Sequence, residues 1–320
     1  MMADAFDGLK AVHFQQTDPG TRWRKDYRIA IDLDSPLDSE RILTPNVIRL
    51  PTGGYRMYYL ACGPARTSPN AAAYILSAFS EDGDSWDKEP GIRVDVHPPY
   101  DLSAMCPDVI PLEGGGYRMY YEARAEDKPG LVLSATSADG LQWDPEPGVR
   151  FGSDDHSYGS PRCLYIDEPA LGPDYRFRLY FHRYTYGPFH SGLDAGNVII
   201  SAVSKDGLDF EEEGVRIAQE TERETFSVYA PEVIRLGDGT YRMYYPPWCD
   251  EFKGGIFTAT SVDGLAWTKD PDVLVELGGR WDDNMVSEPC VIDLPDGRFR
   301  MFYEAKDSEN RTRILSATSY

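Results

Sequence analysis

The apolar residues of this chain gather in short strings broken by glycine, proline and aspartate, and no string carries a helical period. One phrase recurs five times, as Tyr55-Arg-Met-Tyr-Tyr59, Tyr117-Arg-Met-Tyr-Tyr121, Phe177-Arg-Leu-Tyr-Phe181, Tyr241-Arg-Met-Tyr-Tyr245 and Phe299-Arg-Met-Phe-Tyr303. Aromatic and β-favouring residues at that density predict strands. Ahead of each phrase stands an apolar string opened by Pro45, Pro107, Pro161, Pro231 or Pro289, and turn residues join the two as a hairpin. Behind each comes a small-residue string such as Leu131–Ser137. Four of these run into tight turns ending in an aromatic: Ser80–Trp86, Ser137–Trp143, Ser204–Phe210 and Ser261–Trp267. A short fourth strand follows each turn.

The opening prolines lie 54 to 70 residues apart, the spacing of four-stranded propeller blades. The predicted fold is all-β: a single five-bladed β-propeller over residues 1–320, its blades of four antiparallel strands starting near residues 42, 104, 158, 228 and 286. The last blade reaches Tyr320 where its Asp-Gly turn is due. The N-terminal segment 1–40 carries Phe6-Asp-Gly-Leu9 and candidate strands at Val12–Gln15 and Tyr27–Ile31. It is expected to complete the last blade and close the ring, which removes exposed sheet edges.

Strand order puts the Asp-Gly turns and first hairpins on one face, the bottom. The longer connections, Asp95–Cys106, Gly152–Ser160, Ala218–Ala230, Glu276–Glu288 and Arg183–Ala195, gather on the top, where binding is expected. The arginine of each aromatic strand (56, 118, 178, 242, 300) occurs once per blade and so serves the repeat, as an ion pair or stacking group. The turn aspartates Asp82, Asp139, Asp206 and Asp263 are read as turn-stabilising groups.

Function is expected where the blades differ. The residues before the opening prolines are Thr44, Cys106, Ser160, Ala230 and Glu288, and those after them are Asn46, Asp108, Arg162, Glu232 and Cys290. Leu60, Glu122, His182, Pro246 and Glu304 end the aromatic strands. Asp108, Glu232 and Glu288 are the candidate catalytic carboxylates, since clustered like charges at the mouth of apolar strands are unfavourable unless used. Asn46, Glu122, His156, Arg162, His182, Tyr229, Trp281 and Asp283 are the candidate substrate-binding residues, and Trp248, Tyr158 and Tyr186 are further aromatic candidates on the top loops. Cys106 and Cys290 are expected near the axis as inert fillers or, alternatively, as nucleophiles.

Five blades, strands opening with x-Pro-x-Val and Asp-Gly turns closed by tryptophan resemble the arabinanase, β-xylosidase, invertase and levansucrase superfamily. The turns are similar to the Asp-box of sialidases with one residue fewer between Asp and Gly. Cys106-Pro-Asp108-Val resembles the Trp-Ala-Pro-Asp-Val segment of the inverting arabinanases, and Ala230-Pro-Glu-Val is a related variant. The resemblance implies sugar binding on the axis, with carboxylates from different blades as base, acid and pKa modulator. Those catalytic positions do not carry over: this chain has Thr44-Pro45 and Ser160-Pro161 where the arabinanases have Asp-Pro, Tyr229-Ala-Pro231 where they have Glu-Gly-Pro, and only Glu288-Pro289 puts a carboxylate immediately before the proline. The expected function is glycoside hydrolase-like chemistry through axial carboxylates. The alternatives are a lyase, cyclase or isomerase on the same propeller, or a non-catalytic sugar-binding propeller.

Composition narrows the partners. With 53 Asp and Glu against 32 Lys and Arg, the net charge is −21, which repels nucleic acid and anionic lipid. The expected partner is a small-molecule or oligosaccharide substrate, with no nucleic acid, no membrane, no metal and no cofactor. Five scattered cysteines without a CxxC pair, and no basic-then-apolar leader, are read as free thiols in a cytoplasmic protein.

Overall fold

The computed structural model describes residues 13–66, 70–166, 174–185, 197–249 and 254–320. It is a five-bladed β-propeller, all-β except for one 3-10 turn at Glu222–Glu224 among these residues. The first, innermost strands of the blades are Arg41–Arg49, Ser103–Pro111, His156–Tyr165, Glu232–Leu236 and Met285–Asp293. Each pairs antiparallel with the aromatic strand that follows it. The fifth blade takes its outermost strand from the N-terminus, because Trp23–Ile31 pairs antiparallel with Thr312–Ser319.

A second N-terminal piece does something the sequence did not suggest. Phe14–Gln15 pairs in parallel with Arg235–Leu236 on the inner edge of the fourth blade, so the segment enters the channel instead of joining the fifth blade. The fifth Asp-Gly turn also lies elsewhere than expected. Phe6–Leu9 is outside the described residues, and Asp18-Pro-Gly20 with Trp23 fills the role. Trp23 donates to the Gly20 carbonyl at 3.1 Å, as Trp143 does to Gly140 and Trp267 to Gly264.

That substitution completes a circle of junctions between blades. The aromatic ending each turn meets a ring of the preceding blade edge-on: Trp143 on Tyr58, Phe210 on Tyr120, Trp267 on Tyr180, Trp23 on Tyr244 and Trp86 on Phe302. Edge-to-face geometry adds to the area such rings bury. Four of those ring residues are tyrosines, and their hydroxyls donate to Gly140, Gly207, Gly264 and Gly20 carbonyls in the next turn. The repeated arginine binds a carboxylate and the next blade's turn: Arg56 takes Glu89 and the Asp139 carbonyl, and Arg118 takes Glu146 and the Asp206 carbonyl. The apolar core is accordingly a set of clusters between blades, such as Met57, Tyr59 and Ile42 of the first against Phe302 and Ile314 of the fifth.

The inner strands share one distortion that aims their side chains. Thr44, Cys106, Ser160, Ala230 and Glu288, each before a proline, have positive φ between 45° and 53°. In four blades the ladder register slips at this point. A non-glycine residue in the left-handed region costs on the order of 1–3 kcal/mol and persists only where its surroundings enforce it. Five repetitions around one axis mark the ring as the place where the fold is strained.

Candidate functional site

Two layers of side chains meet on the axis. The lower layer comes from the residues after the prolines, and its members bind across blade junctions. Asn46 Oδ1 accepts from the Val109 amide at 3.1 Å, and Asp108 Oδ2 accepts from Cys163 at 2.7 Å. Glu232 Oε1 accepts from Val291 at 2.9 Å, and Cys290 Sγ accepts from Val47 at 3.2 Å. Between the third and fourth blades the link is the pair Arg162–Glu232 at 3.0 Å. Arg162 also donates to the carbonyls of Pro161 and Pro107 at 2.9 and 3.4 Å. His13 closes the layer from below: its Nε2 is 2.7 Å from Asp108 Oδ1, to which Asn46 also donates at 3.1 Å.

Asp108 and Glu232, two of the three expected catalytic carboxylates, are therefore 0% exposed with every oxygen engaged. Asn46 and Arg162 belong to the same floor. Sequence reasoning passed over His13, because a lone histidine near the terminus carries no spacing signal.

The upper layer comes from the residues before the prolines and from the ends of the aromatic strands. Glu288 is 6% exposed; its Oε1 accepts from the Ser160 hydroxyl at 2.9 Å, while the buried Oε2 has no partner among the described residues. The Ser160 hydroxyl is 3.5 Å from the Cys106 thiol, which in turn is 3.5 Å from Glu122 Oε2. Glu304 stands in the strand beside Glu288, since Ser287 faces it across the hairpin. His182 faces Gly159, whose missing side chain matters. A Cβ there would overlap Glu122 Oε2 and come within 2.9 Å of His182 Cε1. Tyr229 meets His182 edge-on at 6.1 Å.

Burial sets the charge states of this layer. It pushes the Glu288 carboxyl up to about 7, although Arg162 and the Ser160 hydroxyl pull the other way and only Glu122 adds to it. It pushes Glu304 up to about 8, reinforced by Glu288 and opposed by Arg41 and the Thr44 amide. The same cause takes His182 down to about 4 despite Glu122, so the ring is neutral at pH 7, and its Nδ1 has no partner among the described residues. The Cys106 thiol is pushed well up by burial, Glu288 and Glu122, a state opposite to that of an activated nucleophile.

The remaining expected residues lie at the rim or in packing. His156 is half-buried, with its amide bonded to Ser153 Oγ at 3.2 Å. Asp283 is exposed and accepts from the Ser308 amide at 2.7 Å. Trp281 is half-buried beneath the Arg280 guanidinium, 5.4 Å from the ring centre, and Trp248 is 44% exposed. Tyr158 packs against Phe151 and Phe181. Tyr186 and most of the Arg183–Ala195 loop are outside the described residues. All five cysteines are free and buried. Among the described residues no group of three or more His, Cys, Asp or Glu could hold a metal ion, and no helix is long and apolar enough to cross a membrane.

No protein-family model matches the chain. Two uncharacterized proteins of Mycobacterium tuberculosis match it in part. That of strain CDC 1551 / Oshkosh is 35% identical over 130 residues, covering 38% of this chain and 42% of its own length. That of strain ATCC 25618 / H37Rv is 31% identical over 257 residues, covering 77% and 61%. The chain thus spans less than two thirds of either relative. Among solved structures, a glycoside hydrolase superposes with a TM-score of 0.75 at 18% identity, covering 100% of this chain and 94% of that one. The endo-arabinase from Bacteroides thetaiotaomicron VPI-5482 gives 0.66 at 18% identity over 92% and 98%. The β-1,2-mannobiose phosphorylase from Listeria innocua, in complex with β-1,2-mannobiose, gives 0.70 at 13% identity over 92% and 96%. At these identities the likeness is one of fold, and the chain has the five-bladed propeller fold of these glycoside hydrolase and phosphorylase structures.

Proposed function

We propose that this protein cleaves glycosidic bonds in its axial pocket, with Glu288 and Glu304 as the acid and base pair. The observation that carries the reading is Glu288: a carboxyl on the axis, buried, with one oxygen held by Ser160 and the other without a partner. Glycoside hydrolysis needs one carboxyl protonated near neutral pH and a second that accepts a proton. Burial raises Glu288 to about 7 and, with the Glu288 charge, Glu304 to about 8, so in the neutral range the site offers both a protonated and an ionised carboxyl. The protonated partner donates to the departing oxygen while the ionised one activates water or attacks the anomeric carbon. Asp108, Glu232 and Arg162 take the supporting role, fixing the floor on which Ser160 and Glu288 stand. His182, Glu122 and Tyr229 would bind the sugar, and the sugar-processing activities of the structural neighbours favour a carbohydrate over another ligand.

The test is a panel of aryl glycosides and oligosaccharides assayed with the wild type, Glu288→Gln and Glu304→Gln. Cleavage of at least one substrate is expected, with each variant slowed by about 10²–10⁴. Wild-type inactivity across the panel would sink the enzymatic reading. Sugar binding without cleavage would identify a binding propeller instead.

A further inference from the structure

We infer that the axial pocket selects a sugar bearing a primary ammonium group, with Glu288 and Glu304 as its counter-ions and the Tyr229 hydroxyl beside them. The inference rests on the reading of this pocket as a sugar site. Its substance is an imbalance of charge. Three carboxyls from two blades are buried here: Glu288 on the Ser160 hydroxyl, Glu122 against Gly159, and Glu304 opposite Ser287 on the strand paired with that of Glu288. The arginines nearby are committed elsewhere. Arg124 pairs with Glu122, and Arg162 lies in the floor with Glu232 and the carbonyls of Pro161 and Pro107. Arg41 is exposed and Lys306 half-buried at the rim, and both act on Glu304 through solvent-facing positions. His182 adds no charge. Among the described residues Glu288 and Glu304 have no cation in contact, and Glu288 Oε2 has no partner.

A sugar hydroxyl would satisfy that oxygen as a donor but would leave the charge uncompensated. An ammonium supplies both the charge and three donors, which two neighbouring carboxyls and a serine hydroxyl can receive. Tyr229, half-buried and edge-on to His182, brings its hydroxyl into the field of Glu304 and Glu288, where it can accept from the same group. The net charge of −21 adds a field that draws cations toward the clefts of this molecule. Binding balances simply: the pocket in its singly protonated form takes the ammonium, and the carboxyl proton leaves to the buffer.

The experiment is calorimetric titration of the wild type at pH 7 with glucosamine, galactosamine and mannosamine, each against its neutral hexose and its N-acetyl form. Titrations in two buffers of different ionisation enthalpy count the protons released. At least one amino sugar is expected to bind tenfold or more tighter than both its counterparts, with net proton release. Glu304→Gln, which keeps the shape, is expected to bring that ratio near one. Proton counting on the wild type keeps the test valid should the variant fold poorly. Neutral hexoses binding as tightly as the amino sugars, or no proton release, overturns the inference and leaves the sugar site standing. If no sugar binds and no glycoside is cleaved, the sugar site itself fails and takes this inference with it.

Discussion

His13 Nε2 lies 2.7 Å from Asp108 Oδ1, so the N-terminal strand is fastened to the second blade across 95 residues of chain. The contact is wholly buried, and Glu232 approaches the other ring nitrogen at 3.9 Å. Burial works to lower the His13 pKa, but the charge and hydrogen bond of Asp108 and the charge of Glu232 outweigh it and the opposing Arg162, so the value is raised. Stability from this group is therefore full below about pH 6.5 and is lost as pH rises through the folded-state value. His13→Asn is expected to cost about 3 kcal/mol at pH 6 and clearly less at pH 9. Thermal unfolding followed by circular dichroism at the two pH values checks this, and an equal deficit at both would refute the charged pairing.

Glu288 and Glu304 respond to pH with the same sign for a different reason. Both carboxyls are raised by burial, so the folded state favours their protonated forms. Their contribution is full below about pH 4.5 and is lost as pH rises through about 7 and about 8. Glu304→Gln removes the burden and is expected to stabilise the protein at pH 9 by on the order of 2 kcal/mol while changing little at pH 5. Denaturant unfolding at both pH values decides it. A variant less stable than wild type at pH 9 counts against the raised carboxyl.

Gly159 is predicted to be irreplaceable by alanine for reasons of space. The added methyl would displace Glu122 and His182 together, at a cost of about 1–3 kcal/mol. Ligand affinity should fall at least tenfold. If Gly159→Ala binds and melts like the wild type, the packing of Glu122 against this strand is looser than described.

Asp139 gives the contrasting case of a residue that serves the fold alone. Its carboxylate accepts from the amides of Gln142 and Leu141, which hold its pKa below the usual range. That contribution is present at neutral pH and lost as pH falls through the lowered value. Asp139→Ala is expected to cost about 1 kcal/mol in an exposed turn and to leave kcat/KM unchanged. A selective loss of activity at full stability would contradict a purely structural role.

How much of this was legible beforehand varies by residue. The five aromatic phrases and their opening prolines announce the blades, because strand periodicity and turn chemistry are local properties of the chain. The arginines could be read as structural because each blade has one, and Arg56 and Arg118 do pair within the repeat and bridge to the next turn. Asp18-Pro-Gly20 with Trp23 was legible too, since it keeps the Asp, Gly and Trp of the other turns in order, but the inserted proline hid it behind Phe6–Leu9. The site was legible as a set of positions and not as a division of labour. Asp108 and Glu288 are both carboxylates beside an opening proline, and only the side of the proline on which they stand sets them apart. After the proline, Asp108 points into the floor and meets Cys163 and His13. Before it, Glu288 is turned by a left-handed backbone into the upper layer, where one oxygen finds no partner among the described residues. The sequence by itself determined the repeated strands, four of the five turns and the number of blades, which follow from local patterns along the chain. Only the tertiary structure decided which acid is braced and which is free, because that depends on groups brought to the axis from every blade and from the N-terminus, where burial makes each missing partner count.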